Sequence, residues 1–340
     1  MDRRENHDYT MIHNSHIVSI GSDSALYHEQ DAERGTPEFA MSSSALKAFG
    51  SCAKRFISGY EPPATDAKRH GSLLDVRLLV PEIFEARFAV KPMTYENDDG
   101  EVKKWNSNST VCKEWLADHA DKEVVSKTEV DNCDEAIARL MEDETIASYL
   151  SCSDRQVHLA AEWHDPKTGL VIPIKGLIDL VPREDTEFAK TLGDLKSTRN
   201  AALGAWQRWA FQCGYHLQAA FYTDLYMAAF PESDRNTFCF ILSENFAPWQ
   251  VGKRMATDAP DQPDNFVDFG RQVYRRLLAN YCVCVATGKW PDYDQHEDSI
   301  QGWTLLRAEP FMMDYVGPIF KMDDIQEEPE HQEEATDVVP

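Results

Sequence analysis

Short apolar segments in the middle of the chain are broken by turn residues, and helical spacing flanks them on both sides. Gln156–Trp163 (QVHLAAEW) opens a sheet, Asp165–Gly169 (DPKTG) is a hairpin turn, and Leu170–Ile174 runs into Gly176–Val181. That last segment is apolar with one acid, Asp179, inside it. Pro182–Thr186 (PREDT) is polar and turn-like, and Thr191–Ser197 is a second short strand. Segments of this length bounded by Pro, Gly and Asp predict strands joined by hairpins. Before them, Ser42-Ser43-Ser44 precede a run with Leu46, Phe49, Phe56 and Ile57 on one side, a capped helix. Ser72–Val80 predicts a helix stopping near Pro81, with a short one (PEIFEARF) after it. Val111–Ala120 and Val130–Leu150 carry helical spacing, and 91–130 otherwise reads as loop. After the strands come a loop (RNAALGAW), a long helix over about Ala205–Phe230, and a buried strand at Phe238–Ser243. Trp249–Val251 pairs with that strand, Ala256–Asn265 is loop, and Phe266–Cys284 is an amphipathic helix closed by Gly288–Pro291. Residues 1–40 read as a polar arm with a short strand at Ile17–Ile20. Residues 322–340, acidic and without aromatics, read as a disordered tail.

Two of the strands carry chemistry. A strand projects residues i and i+2 to one face, so Asp194 and Lys196 point the same way. A hairpin would bring Asp179 beside Asp194. Two carboxylates are hard oxygen ligands suited to Mg²⁺ or Mn²⁺, and the backbone carbonyl of Leu195 adds another. A lysine there can orient a water and offset phosphate charge, which is the equipment of metal-assisted phosphodiester hydrolysis. An isolated Asp-x-Lys also reads as a solvated strand face. Asp179 strengthens the metal reading, because an acid in an apolar run is costly unless ligated or paired.

Gly176–Asp179 (GLID), Gly193–Thr198 (GDLKST) and Gly214–Tyr222 (GYHLQAAFY), in this order and spacing, resemble the PD-(D/E)XK nuclease superfamily. Within it they are similar to the RecE-like branch, exonuclease VIII of phage-type recombination. The resemblance covers about residues 40–310, the nuclease-like domain being expected at 41–310. It implies an α/β fold, a mixed central β-sheet flanked by helices, with a metal site at one edge. It also implies a Mg²⁺-dependent exonuclease, with Mn²⁺ as an alternative ion, that takes double-stranded DNA ends. One strand would be degraded 5′ to 3′, leaving a 3′ single strand for an annealing-type recombinase; ring-shaped homo-oligomers belong to the same picture. Asp179 and Asp194 would bind metal and Lys196 would position the water. Gln218 and Tyr222 match a Gln-x-x-x-Tyr beside the active site, with Tyr215 one turn earlier on the same face. Where the family's Gly-x-x-x-His-x-x-x-Leu-x-Pro has its His ligand, this chain has Asp75, which also ligates Mg²⁺. His70 is a shifted alternative, and Glu162 a candidate third carboxylate. Lys54 and Arg55, and Arg271, Arg275 and Arg276, either reach DNA or solvate helix surfaces.

The chain has 340 residues and a net charge of −24. This argues against a protein that coats nucleic acid generally and requires any DNA site to have a local basic lining. Residues 322–340 hold eight acids and no Lys or Arg. The eight cysteines are scattered, with Cys282 and Cys284 the one close pair, a pattern of free thiols rather than an iron–sulfur cluster. No apolar run has the length of a membrane span, and the N-terminus lacks a signal-peptide core, so the cytoplasm is expected. Three other readings stay open. One is a different nuclease of the superfamily, a single-strand exonuclease or an endonuclease. A second is a catalytically inactive module binding DNA or protein, and a third is an acidic DNA mimic that binds a basic protein.

Overall fold

Strand pairing decides the centre of the fold. The computed structural model describes residues 11–293, apart from 22–26, 28–31, 62, 64, 98 and 259–264, together with 299–300 and 303–304. The main sheet contains β1 (Ile12–Ser19), β6 (Ser153–His164), β7 (Val171–Pro182), β8 (Thr191–Thr198), β9 (Thr237–Glu244) and β10 (Val251–Thr257). Its order is β1-β6-β7-β8-β9-β10. Neighbours are antiparallel except β8 and β9, which run parallel. The sheet is therefore mixed, as expected. Short strands outside it include β2 (Phe88–Lys91), which pairs in parallel with β5 (Glu123–Ser126), and β3 (Thr94–Glu96), which pairs with β4 (Val102–Lys104).

Helices cover both faces. On one side lie α1 (Ser43–Ser51), α2 (Ala53–Ile57), α8 (Leu203–Gln212), α9 (Tyr215–Ala229) and α10 (Phe266–Thr287), packed on Leu159, Ile174, Ile178, Leu192 and Phe240. On the other lie α3 (Asp66–Leu79), α6 (Lys127–Met141) and α7 (Glu144–Ser151), packed on Leu180, Leu195 and Ile241. Two shorter helices are α4 (Phe84–Arg87), whose Phe84 joins this second cluster, and α5 (Thr110–Asp118). Ser42 caps α1, accepting the Ala45 N–H at 3.1 Å. Every residue of α9 from His216 to Tyr226 is buried, the mark of a helix enclosed on all sides. Its close approach to the sheet needs Gly176, where a Cβ would stand 2.9 Å from Leu225 Cδ1 and 3.2 Å from Tyr222.

Several expectations change. Residues 1–40 are not only an arm, because β1 pairs with β6 along the edge of the sheet. The stretch 91–130 holds the expected helix, and short strands where loop was expected. The single helix expected over Ala205–Phe230 is two, broken at Gly214, whose φ of 66° lies in the left-handed region. Val130–Leu150 is likewise two helices, because Asp143 starts α7 by accepting the Ile146 N–H at 3.1 Å. The chain forms two compact units, 1–292 and 293–340. In the second, the described residues form a hairpin, β11 (Ser299–Ile300) with β12 (Trp303–Thr304); the acidic tail lies outside the described residues. Among the described residues no helix is long and apolar enough to cross a membrane. All eight cysteines are free thiols.

Candidate active site

The site forms where β7 and β8 part. Among the described residues their register holds one pair, Leu180 with Gly193. Beyond it a side chain takes over from the backbone ladder: Asp179 Oδ2 accepts the Leu195 N–H at 2.9 Å. Asp179 also marks a reversal of β7, since Ile178 faces the α9 side and Leu180 the α3 side. The carbonyl of a strand residue lies on the same edge as its N–H, so the Leu195 carbonyl faces this gap too.

Asp194 is 1% exposed and makes an ion pair with Lys196. Its Oδ1 accepts from Gln218 Nε2 at 2.7 Å. One turn before Gln218, the ring of Tyr215 lies 4.9 Å from Lys196 Nζ. One turn after it, Tyr222 Oη accepts from Ser43 Oγ at 3.3 Å. The face of α9 carrying Tyr215, Gln218 and Tyr222 thus meets Asp194 and Lys196 through its first two residues and α1 through the third. Asp75 comes from α3, which packs on β8 so closely that a Cβ on Gly71 would sit 3.7 Å from Ser197 Cβ.

Charge is concentrated here. Burial, then Asp194 and Asp75, push Asp179 well above the usual carboxylate range, against the pull of Lys196. Burial and Asp194 likewise push Asp75 up to about 7, while Lys196 and Arg87 pull it down. For Lys196, burial opposes the charge, but Asp194, Tyr215 and Asp179 outweigh it and hold the ammonium protonated. Burial raises Tyr215 and Tyr222 to about 12, so both stay phenols. Three acids share one close ammonium, and a cation would relieve their repulsion.

The donors are all oxygen: Asp75, Asp179, Asp194 and the Leu195 carbonyl. This set fits a hard divalent ion such as Mg²⁺ or Mn²⁺. The side chains are not spread around such an ion as they stand. Among the described residues no three His, Cys, Asp or Glu converge in ligand geometry. Lys196 sits on Asp194, and Asp179 is held by the Leu195 amide and by Gln156 Nε2 at 3.1 Å.

A family model described as a PDDEXK-like domain of unknown function (DUF3799) matches residues 42–301. The chain belongs to that family. Asp194-Leu195-Lys196 reads Asp-x-Lys and lies one strand after Asp179. A crystal structure of a protein from Eubacterium rectale, provisionally named an exonuclease, aligns over 87% of this chain and 99% of its own. The TM-score is 0.50 at 16% identity, a likeness of fold. Candida albicans Rai1, in complex with pU5 and Mn²⁺, aligns over 72% of this chain and 67% of its own. With a TM-score of 0.23 and 11% identity it bears no weight. No curated protein matches the chain.

Some expected residues lie away from this cluster. Glu162 stands opposite Pro173, six positions along β7 from Asp179, on the order of 20 Å at the rise of a strand. It accepts from Asn14 Nδ2 at 2.8 Å and pairs with His164 at 3.0 Å. The β6 residue level with Asp179 is Gln156, 3% exposed. His70, five residues before Asp75, is turned about 140° around the helix; it stacks on Trp249 with centroids 6.1 Å apart. Lys54 pairs with Asp292 at 3.0 Å, and Arg55 bonds Ser51 at 2.8 Å. Sequence reasoning missed Lys47. Its ammonium lies 5.6 Å from the Tyr215 ring, and burial followed by Lys196 lowers it to about 8. Its stem lies against the Gly214 bend, where a Cβ would be 2.8 Å from Lys47 Cδ. The available signal was its i+4 spacing from Ser43 on the capped helix.

Proposed function

We propose that this protein is a metal-dependent nuclease that hydrolyses phosphodiester bonds in DNA, acting as an exonuclease on linear double-stranded ends. The observation that carries this reading is Asp179 reaching across the parting of β7 and β8 beside the Asp194–Lys196 pair, with buried Asp75 within reach of their charge. Asp75, Asp179, Asp194 and the Leu195 carbonyl would hold Mg²⁺, with Mn²⁺ as an alternative. A bound divalent cation supplies Lewis-acid activation and neutralises phosphate charge. Lys196 holds the attacking water beside the phosphorus, its ammonium kept protonated by Asp194. Gln218 fixes the Asp194 carboxylate, and Tyr215 backs the Lys196 ammonium with its ring. Lys47, across that ring, offers a second cation to a phosphate. In its finer form the reading is 5′ to 3′ resection in the cytoplasm, supplying 3′ single strands to an annealing recombinase, by a homo-oligomer.

Digestion of end-labelled linear duplex with Mg²⁺ tests it, beside closed-circular duplex, an EDTA control and Asp194→Ala. Release of nucleotides by the wild type alone, with the circle intact, is the expected result. The label lost first reports polarity. A wild type as inert as the variant with both Mg²⁺ and Mn²⁺ rejects the nuclease reading and leaves a binding module on the same fold.

A further inference from the structure

We infer that Gln156 is a positioning residue: it sets the Asp179 carboxylate across the gap between β7 and β8 and so governs the hold of the site on its cation. The cation itself rests on the nuclease reading. Residues two apart on a strand face the same way, yet both β6 and β7 reverse at this level. Val157 and Ile178 pair and face the α9 side. Arg155 and Leu180 pair and face the α3 side, where Arg155 Nη1 donates to the Leu78 carbonyl at 2.8 Å and Leu180 packs in the core. Between those two pairs stand Gln156 and Asp179, which share no backbone rung among the described residues. Their side chains meet instead, Gln156 Nε2 donating to Asp179 Oδ1 at 3.1 Å.

The reversal of β6 falls on Gln156 itself. Its φ is 49°, in the left-handed region that Gly and Asn enter most readily and other residues enter at a cost. The side chain is 3% exposed, and its Oε1 has no partner among the described residues, a second cost. A turn alone would be made better by Gly or Asn. What Gln adds is reach: Asn is one methylene shorter, which takes its amide out of hydrogen-bond distance of Asp179. Strain of this kind persists where the surrounding structure holds it for a site. Its product here is an Asp179 fixed from two sides, Oδ1 by Gln156 and Oδ2 by the Leu195 N–H at 2.9 Å. Each carboxylate oxygen keeps a second lone pair, so both bonds can persist while the group ligates an ion. Hydrogen-bond partners of a ligating carboxylate orient it, and losing one ordinarily weakens metal binding about ten- to a hundredfold. The same reversal turns Arg155 onto the last turn of α3, the helix that carries Asp75. Acids from two different elements are thus placed through one level of β6.

Two variants of the full chain separate side chain from backbone. Gln156→Met keeps the length and removes the donor; Gln156→Asn keeps an amide, suits the left-handed backbone and cannot reach. Titration with Mn²⁺, the free ion read by electron paramagnetic resonance, measures the hold on the cation. Hydrogen exchange of the Leu195 amide in EDTA measures the Asp179 bond across the gap with no cation present. Thermal unfolding in EDTA identifies the variants that are folded. In both, Mn²⁺ affinity should fall roughly ten- to a hundredfold, and Leu195 exchange should quicken roughly tenfold. Wild-type affinity or wild-type exchange in either folded variant overturns the inference: the first makes Gln156 a support of the sheet alone, and the second means that Asp179 is held without it. If the wild type digests DNA while the variants match its Mn²⁺ affinity, the positioning role falls and the nuclease reading stands. If the variants show both losses but the wild type digests nothing, the nuclease reading falls and Gln156 positions a ligand of a metal site. A wild type that neither binds Mn²⁺ nor digests DNA overturns both.

Discussion

Arg271 separates a clamp inside the protein from a contact on DNA. It was one of the arginines expected either along a DNA path or on a solvated face, and the structure puts it in neither place: it is 5% exposed. Nε and Nη2 donate to Asp224 at 2.8 Å each, and Nη2 also donates to Asp258 at 2.9 Å. Nη1 reaches Asp258 at 3.2 Å and Asp268 at 2.5 Å. Asp224, on α9, is 0% exposed and also accepts from Tyr274 Oη at 2.6 Å. Arg271→Met strips this carboxylate of its main partner. Removing one member of a buried ion pair costs about 3–5 kcal/mol, chiefly because the other charge stays buried. With a urea m-value of about 3 kcal/mol per molar, the midpoint should fall by about 1–1.7 M. Urea unfolding followed by tryptophan fluorescence and far-ultraviolet circular dichroism measures it. A midpoint within about 0.2 M of wild type, together with weaker DNA binding, would refute the clamp and return Arg271 to the DNA path.

Three further expectations concern the site and its support. Gln218→Leu removes a hydrogen bond to a charged acceptor, about 1.5–3 kcal/mol, which lowers the turnover of labelled duplex roughly ten- to a hundredfold; a loss under about threefold would show that the amide does not hold Asp194 in the transition state. Lys47→Ala should weaken duplex binding and reduce its log–log salt slope by about 0.9, and an unchanged slope removes Lys47 from the DNA path. At the start of α6, Ser126 and Glu129 cap each other, and Ser126→Ala should cost about 1 kcal/mol by thermal unfolding near neutral pH. Burial pushes the Glu129 carboxyl up, but hydrogen bonds from Ser126 and the charge of Arg69 outweigh it, so it lies below its ordinary 4.5. A depressed folded value stabilises above the unfolded one and loses that contribution as pH falls through the folded one. The Ser126→Ala deficit should therefore shrink below about pH 4, and an equal deficit at both pH values would exclude the carboxylate as its source.

The hairpins of the sheet centre were legible because turn residues bracket each apolar segment, and Asp179, Asp194 and Lys196 came with them. The face formed by Tyr215, Gln218 and Tyr222 followed from helical spacing, although the helix itself begins later than its pattern suggests. Gly214 was visible, but a glycine in an apolar helical run does not by itself announce a positive φ. Asp75 was legible only by resemblance, since an acid on a helix ordinarily faces water. Glu162 was misplaced because β6 is twelve residues long, and an acid at one end says nothing about a site at the other. Gln156 carries no charge to draw notice and acts through the register with β7. The clamp around Arg271 joins α9, α10 and the end of β10, a long-range arrangement that no local pattern encodes.

The parting of β7 and β8 has a mechanical consequence. The sheet is effectively two half-sheets, β1-β6-β7 and β8-β9-β10, joined by one backbone pair, by Asp179 reaching across to Leu195 and by Arg235, which donates to the carbonyls of Pro182 and Thr191. Asp179 belongs to the first half and Asp194 to the second. An ion shared between them would act as a clasp over the seam, so loading the site and stiffening the sheet become one event. Amide hydrogen exchange along Asp194–Ser197 would register that event directly, as protection that rises when the clasp closes, whether or not any bond in DNA is cut.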